Sequence, residues 1–146
     1  MDDYPENLGE LDLDAVALSA EVVAAAKRFA ASRPWRGTLE ERKAKFRAAV
    51  ADICRAAGVR PPRVVFGTDQ RADSGRSCFI PAAHAIVLRG RLSVVTLLHE
   101  VGHVLLGPSE RAVVAWSLAA FRAAFPRSFA RLTFDGHMAV ARRRRR

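Results

Sequence analysis

The residues best suited to chemistry in this chain are His99-Glu100-Val101-Gly102-His103, an H-E-x-x-H pattern that uses two of the four histidines. They lie in a stretch from Val94 to Leu106 with few polar residues and no proline, preceded by Ser93 as an N-cap and closed by Gly107-Pro108. A helix is expected there. At about 100° per residue, His99 and His103 share one face, and Val94, Leu97, Val101 and Leu105 cluster on the opposite one. Two imidazoles one turn apart can bind one metal ion, while the glutamate between them is displaced sideways and can address water on the metal. An unpaired buried Glu100 would cost several kcal/mol, roughly, so its place in an apolar helix calls for a polar or cationic centre beside it. By chance the pattern is expected in well under about one in a hundred chains of this length. The expectation is a zinc hydrolase site.

A catalytic zinc ion usually takes three protein ligands and keeps a fourth position for water. His99 and His103 supply two, and Glu110, Asp135, His137 and His84 are the candidates for the third. Glu110 is best placed, because a short turn at Gly107-Pro108 brings the next helix back towards the end of the histidine helix. His84 is expected on the strand before that helix, as a strand histidine with its hydrogen bonds satisfied. In the chemistry expected, Glu100 takes a proton from water and returns it to the leaving amine. His137, the only late histidine, is the catalytic donor expected to stabilise the oxyanion, a role that an arginine or a backbone N–H could equally fill.

The remaining chain supplies the elements that would hold this group. Residues 1–14 carry six acids together with Pro5 and Gly9, and are expected to form a flexible acidic leader. Residues 15–141 then form one domain. The apolar spacing from Ala15 to about Ser32 predicts a first helix, ending before Pro34. Thr38 and Glu41 form a capping box for a second helix that runs to Gly58. Three strands are expected, at Arg63–Gly67, Cys78–Ile80 and Ala85–Leu88, with the polar stretch from Thr68 to Ser77 as a loop. The strand just before the histidine helix is expected to offer an exposed edge to an extended peptide. A further helix should open at Ser109-Glu110 and end by Pro126, burying Val113, Val114, Ser117 and Phe121 on the face that carries Glu110. The segment from Phe129 to Met138 has no clear periodicity. The fold class that follows is α+β, a small three-stranded sheet packed on the H-E-x-x-H helix and flanking helices.

Half of the residues are hydrophobic, enough for a core in a chain of 146 residues. No apolar run approaches the roughly 20 residues of a membrane span, and the acidic start is unlike a signal peptide, so a cytoplasmic protein with no membrane partner is expected. Cys54 and Cys78 lack a C-x-x-C spacing and are expected as reduced, buried thiols. The formal charge is +9, of which the terminal run Arg142 to Arg146 carries five, leaving +4 for the body. Arg36, Arg42, Lys43, Lys45 and Arg47 stand near Glu40 and Glu41 and predict a solvated mixed-charge face. The tail, residues 142–146, is expected to make at most weak, sequence-independent nucleic-acid contacts.

Leu97-Leu98-His99-Glu100-Val101-Gly102-His103, preceded by Ile86-Val87-Leu88 and followed by a helix with Glu110, Val113, Trp116 and Ser117 that ends near Pro126, resembles the ImmA/IrrE-type metallopeptidases. The likeness runs from about Phe46 to Pro126 and is specific at its centre. The interval between His103 and Glu110 is shorter than is usual in that family, and no helix-turn-helix or sensor domain is recognisable. The resemblance implies a minimal zincin-like domain, Zn2+ held by His99, His103 and Glu110, Glu100 as general base, and a protein substrate such as a DNA-binding repressor. The competing expectation is a non-catalytic zinc-binding interaction module, or a nucleic-acid-associated protein that uses the Arg tail. A closed structural site usually has four protein ligands with cysteine among them, and neither cysteine stands at ligand spacing here.

Overall fold

The computed structural model describes residues 3–67, 76–136 and 138–141, and of residues 135, 138 and 141 the backbone. It is an α+β fold. Five α-helices accompany a three-stranded sheet and a two-stranded one among the described residues: α1 (Ala20–Ala31), α2 (Leu39–Ala56), β1 (Arg63–Phe66), β2 (Cys78–Ile80), β3 (Ala85–Leu88), α3 (Val94–Leu106), α4 (Glu110–Ala124), α5 (Pro126–Ala130), β4 (Leu132–Asp135) and β5 (Met138–Ala141).

Local signals set most of these boundaries. Thr38 accepts a hydrogen bond from Glu41 N while the Glu41 side chain accepts from Thr38 N, so the expected capping box opens α2. Ser93 and Ser109 accept from Thr96 N and Ala112 N and open α3 and α4 as expected. The first helix is shorter than its apolar pattern suggests. Ser19 caps it, and Leu13–Ala15 forms a separate 3-10 turn capped by Asp12.

The larger sheet has the order β1-β3-β2, with β3 parallel to β1 and antiparallel to β2. The strand that leads into the histidine helix is therefore central rather than an edge, which corrects the expectation of a peptide-binding edge there. Ala85, Ile86 and Leu88 are buried accordingly, and the edge next to α3 is β2. The unassigned segment after α4 is a hairpin, β4 paired antiparallel with β5, turning at Gly136 with φ 56°.

The core is formed by α1, α2, α3, α4 and the inner face of the sheet, centred on Phe46, Ile53, Ile86, Leu97, Leu98 and Val101. Phe29 meets Phe46 and Phe125 edge-on in this core. Cys54 is free and buried here, and burial pushes its thiol up to about 11. Cys78 is free and half-buried on β2. The basic residues of α2 are less purely solvated than expected. Arg42 and Lys45 donate to the carbonyls of Pro34, Arg33 and Arg36, and Lys43 and Arg47 lie over the Phe66 ring.

The acidic stretch at the start, expected to be a mobile leader, is packed on the body from Asp3 onward. Leu8 is buried against Val114 and Leu118, its N–H donates to Gly136 O at 2.8 Å, and Asp14 pairs with Arg122 at 2.7 Å. Composition correctly marked the stretch as polar, but buried Pro5 and Leu8 and the bonds of Asp3 and Asp14 to α4 tie it down, while Asn7 and Asp12 cap its own short turns. The Arg tail and His137 lie outside the described residues. Among those described, no helix is long and apolar enough to cross a membrane.

Gly102 lies where α4 comes close to the backbone of α3. A Cβ there would meet Val113 Cγ1 at 2.9 Å and Trp116 Cε3 at 3.3 Å, so the glycine is required by the proximity of α4 rather than by its own backbone angles. Gly102→Ala is expected to destabilise the fold by roughly 1–3 kcal/mol, the usual cost of overpacking. Urea unfolding measures it, and an unchanged midpoint would show that the two helices are not in this contact.

Candidate metal centre

Three side chains from two helices converge at the floor of one open cleft. His99 and His103 stand one turn apart on α3 with their ring centroids 4.9 Å apart. Glu110, the first residue of α4, reaches both: Oε2 lies 3.0 Å from His99 Nε2, and Oε1 lies 2.9 Å from His103 Nε2. The short interval between His103 and Glu110 is bridged because α3 stops abruptly at Gly107, at φ 86°, and α4 opens at the next cap.

The stop also orients the His103 ring. Gly107 N donates to His103 O, and Gly107 O is 2.9 Å from His103 Nδ1. A carbonyl can only accept, so Nδ1 carries a proton, and in the neutral ring the lone pair lies on Nε2, towards Glu110. A hydrogen bond from the outer ring nitrogen to a backbone carbonyl is the usual device that aims a ligating imidazole. Burial, the largest influence on His99, holds its pKa below the ordinary value against the opposing pull of Glu110. Both rings are thus suited to present nitrogen lone pairs to a cation.

Among the described residues, Glu110 Oε2 is buried and accepts no hydrogen bond, although His99 Nε2 is within contact distance. A carboxylate facing two imidazole nitrogens, with one oxygen orphaned, has the chemistry of an incomplete coordination shell. Donors about 2.0–2.1 Å from one tetrahedral ion stand roughly 3.3 Å apart, close to the spacing observed. His99, Glu100 and His103 form a group whose potential ligand atoms lie within 4.8 Å of one another and could hold a metal ion. Of the two carboxylates, Glu110 is the one that touches both Nε2 atoms.

Glu100 is 5% exposed. Burial pushes its carboxyl up to about 7 and Glu110 adds to this, against the lowering effects of His103 and of a hydrogen bond from the Phe79 backbone on β2. A carboxyl poised there can both accept and release a proton near neutral pH.

The other sequence candidates separate clearly. His84 is not on β3 but just before it, at φ 46° after the 3-10 turn Pro81–Ala83; its Nε2 donates to Arg60 O at 2.8 Å. It is a satisfied structural histidine, as expected, although its place is a left-handed turn. Asp135 is in β4, and its side chain, like all of His137, lies outside the described residues.

Tyr4 is the residue that the sequence did not reveal. It lines the cleft, lies parallel to the His99 ring with centroids 6.3 Å apart, and shares a hydrogen bond with the Glu110 carboxylate. Burial and that carboxylate push its phenol up to about 12. No local pattern pointed to it, since it reaches the site only through packing of the N-terminal segment. The cleft has a volume of about 1180 Å³ and is also lined by Arg76, Phe79, Arg89, Ser117 and Leu118. No protein-family model, curated protein or solved structure matches this chain.

Glu110→Ala is expected to lower metal affinity at least about 10-fold while the metal-free protein keeps its fold, whereas Asp135→Ala should bind metal as the wild type does. Isothermal titration with Zn2+ distinguishes the two, and the reverse result would move the third ligand to β4. A pH dependence follows from Glu100. Its pKa is raised in the folded state, so between about 4.5 and 7 the folded metal-free protein holds the proton more tightly than the unfolded chain does. Glu100 therefore lowers stability as pH rises through that window, by roughly 3 kcal/mol in full. Urea unfolding of metal-free wild type and Glu100→Gln at pH 5 and pH 8 measures this; the same pH slope in both would remove Glu100 as its source.

Proposed function

We propose that this chain is a metal-dependent hydrolase whose centre is His99, His103 and Glu110 with Glu100 beside it. More particularly, it is a zinc metallopeptidase of the ImmA/IrrE type that cleaves a protein substrate, a DNA-binding repressor being the kind that the resemblance suggests. The observation that carries this is the Glu110 carboxylate, brought from α4 to within 3.0 Å of both histidine Nε2 atoms with one oxygen unsatisfied.

Two imidazole nitrogens and one carboxylate suit Zn2+ among the common ions, and an open cleft with three protein donors among the described residues is the arrangement of a catalytic site. Zinc bound there would polarise a substrate carbonyl and acidify water. Glu100 is the general base: its carboxyl accepts the proton from attacking water and delivers it to the leaving nitrogen, and its pKa near 7 suits both transfers. The Phe79 N–H steadies that carboxylate from β2. The same edge strand borders the cleft, so an extended peptide laid along it would pass over Glu100. His137 keeps its proposed place as oxyanion donor, and the Arg tail that of a weak nucleic-acid contact. Two free thiols fit a reducing compartment, and we place the activity in the cytoplasm.

The test combines metal analysis with proteolysis of a denatured-protein or peptide-library substrate. Wild type should carry one zinc per chain and cleave. Glu100→Gln should retain the zinc and lose cleavage by about 10²–10⁴-fold, the usual worth of a general base. Zinc lost in that variant, or cleavage undiminished, would remove Glu100 from the role.

A further inference from the structure

We infer that Tyr4 is a positioning residue of the metal centre, its ring laid along His99 and its hydroxyl bonded to Glu110, so that the N-terminal segment completes the site. The inference rests on the metal-centre assignment proposed above.

Two of the three donors touch this one side chain. The Tyr4 ring is within 5° of parallel to His99, at a centroid separation of 6.3 Å, and limits the swing of that imidazole. Its hydroxyl and the Glu110 carboxylate share a hydrogen bond, and a phenol facing a carboxylate is the donor. Hydrogen bonds to ligating carboxylates are what orient them.

The flanking residues hold Tyr4 in place from both sides. Asp3 accepts from Ser109 Oγ at 2.6 Å, Glu110 N at 2.6 Å and Arg111 N at 3.4 Å, so it caps the very turn of α4 that presents Glu110. Ser109 makes the local cap to Ala112 N, and Asp3 satisfies N–H groups that Ser109 does not reach. On the other side Pro5 is fully buried and Leu8 packs on Val114 and Leu118 of α4. Tyr4 is thus suspended between two anchors on the helix that carries the third ligand. A cap alone would stabilise α4 with any residue following it. Placing the aromatic hydroxyl on Glu110 and the ring on His99 couples the segment to the donors themselves.

Zinc affinity of the purified full-length chain, measured by competition with a chromogenic chelator, tests this alongside the visible spectrum of the Co2+-substituted protein and thermal melting of the metal-free form. Tyr4→Phe keeps the ring and removes the hydroxyl. It should weaken zinc binding about 10-fold and shift the Co2+ bands, with metal-free melting unchanged. Asp3→Ala should weaken zinc binding in the same direction. Wild-type zinc affinity and Co2+ spectrum in Tyr4→Phe would overturn the inference, as would a fall in metal-free melting temperature large enough to account for the lost affinity. A wild-type chain that takes no zinc would overturn the metal centre and this inference together. Where zinc binds, the titration decides the role of Tyr4 whether or not a peptide is cleaved, so failure of the peptidase assignment is read separately.

Discussion

A carboxylate at the edge of a buried helix face, aimed at two imidazoles, is the constraint around which this molecule is arranged. Glu110 shares α4 with Val113, Val114, Ser117 and Phe121, all buried, and its Oε2 has no hydrogen bond among the described residues. Such a group is expensive unless a cation or a proton stands opposite it. Its place is held by a close contact of α3 and α4, where Gly102 lets Val113 and Trp116 approach the backbone of α3. Helix separation at that glycine therefore governs the distance from Glu110 to both histidines.

The turn between the two helices does more than connect them. Gly107 ends α3, and its carbonyl takes the Nδ1 proton of His103, so one residue both stops the helix and aims a ring nitrogen. Ser109 starts α4 from within the connection, while Asp3 supports the same start from far away in sequence. A connection this short leaves little freedom for Glu110 to swing away, and the low loop entropy favours the converged arrangement.

The surroundings of the two glutamates differ. Glu100 sits inside the α3–β2 interface, with burial raising its pKa and the Phe79 backbone restraining that rise. Glu110 sits at a helix start, where the macrodipole favours a negative charge. Glu100 is thereby poised near neutrality to exchange a proton, while Glu110 faces the two imidazoles from the first turn of α4.

Local chemistry was readable from the residues alone. The H-E-x-x-H spacing set His99 and His103 on one helix face, and Ser93, Thr38, Ser109, Gly107 and Pro126 marked helix ends, because caps and turn residues act over three or four positions. The α+β class followed from the same punctuation, together with the β-branched runs at Val64-Val65 and Ile86-Val87. Strand order did not follow: that the strand before α3 is central and β2 forms the edge depends on pairing between distant segments, on which local pattern is silent. The hairpin at β4 and β5 and the left-handed place of His84 were equally hidden. Tyr4 is the clearest case. An acidic, proline-containing start reads as mobile by composition, yet Leu8 and Asp3 find partners on α4 and carry an aromatic ring to His99. Sequence determined which groups could act; only the folding of distant segments onto α4 decided which of them meet, since burial and capping between remote residues leave no periodic trace in the chain.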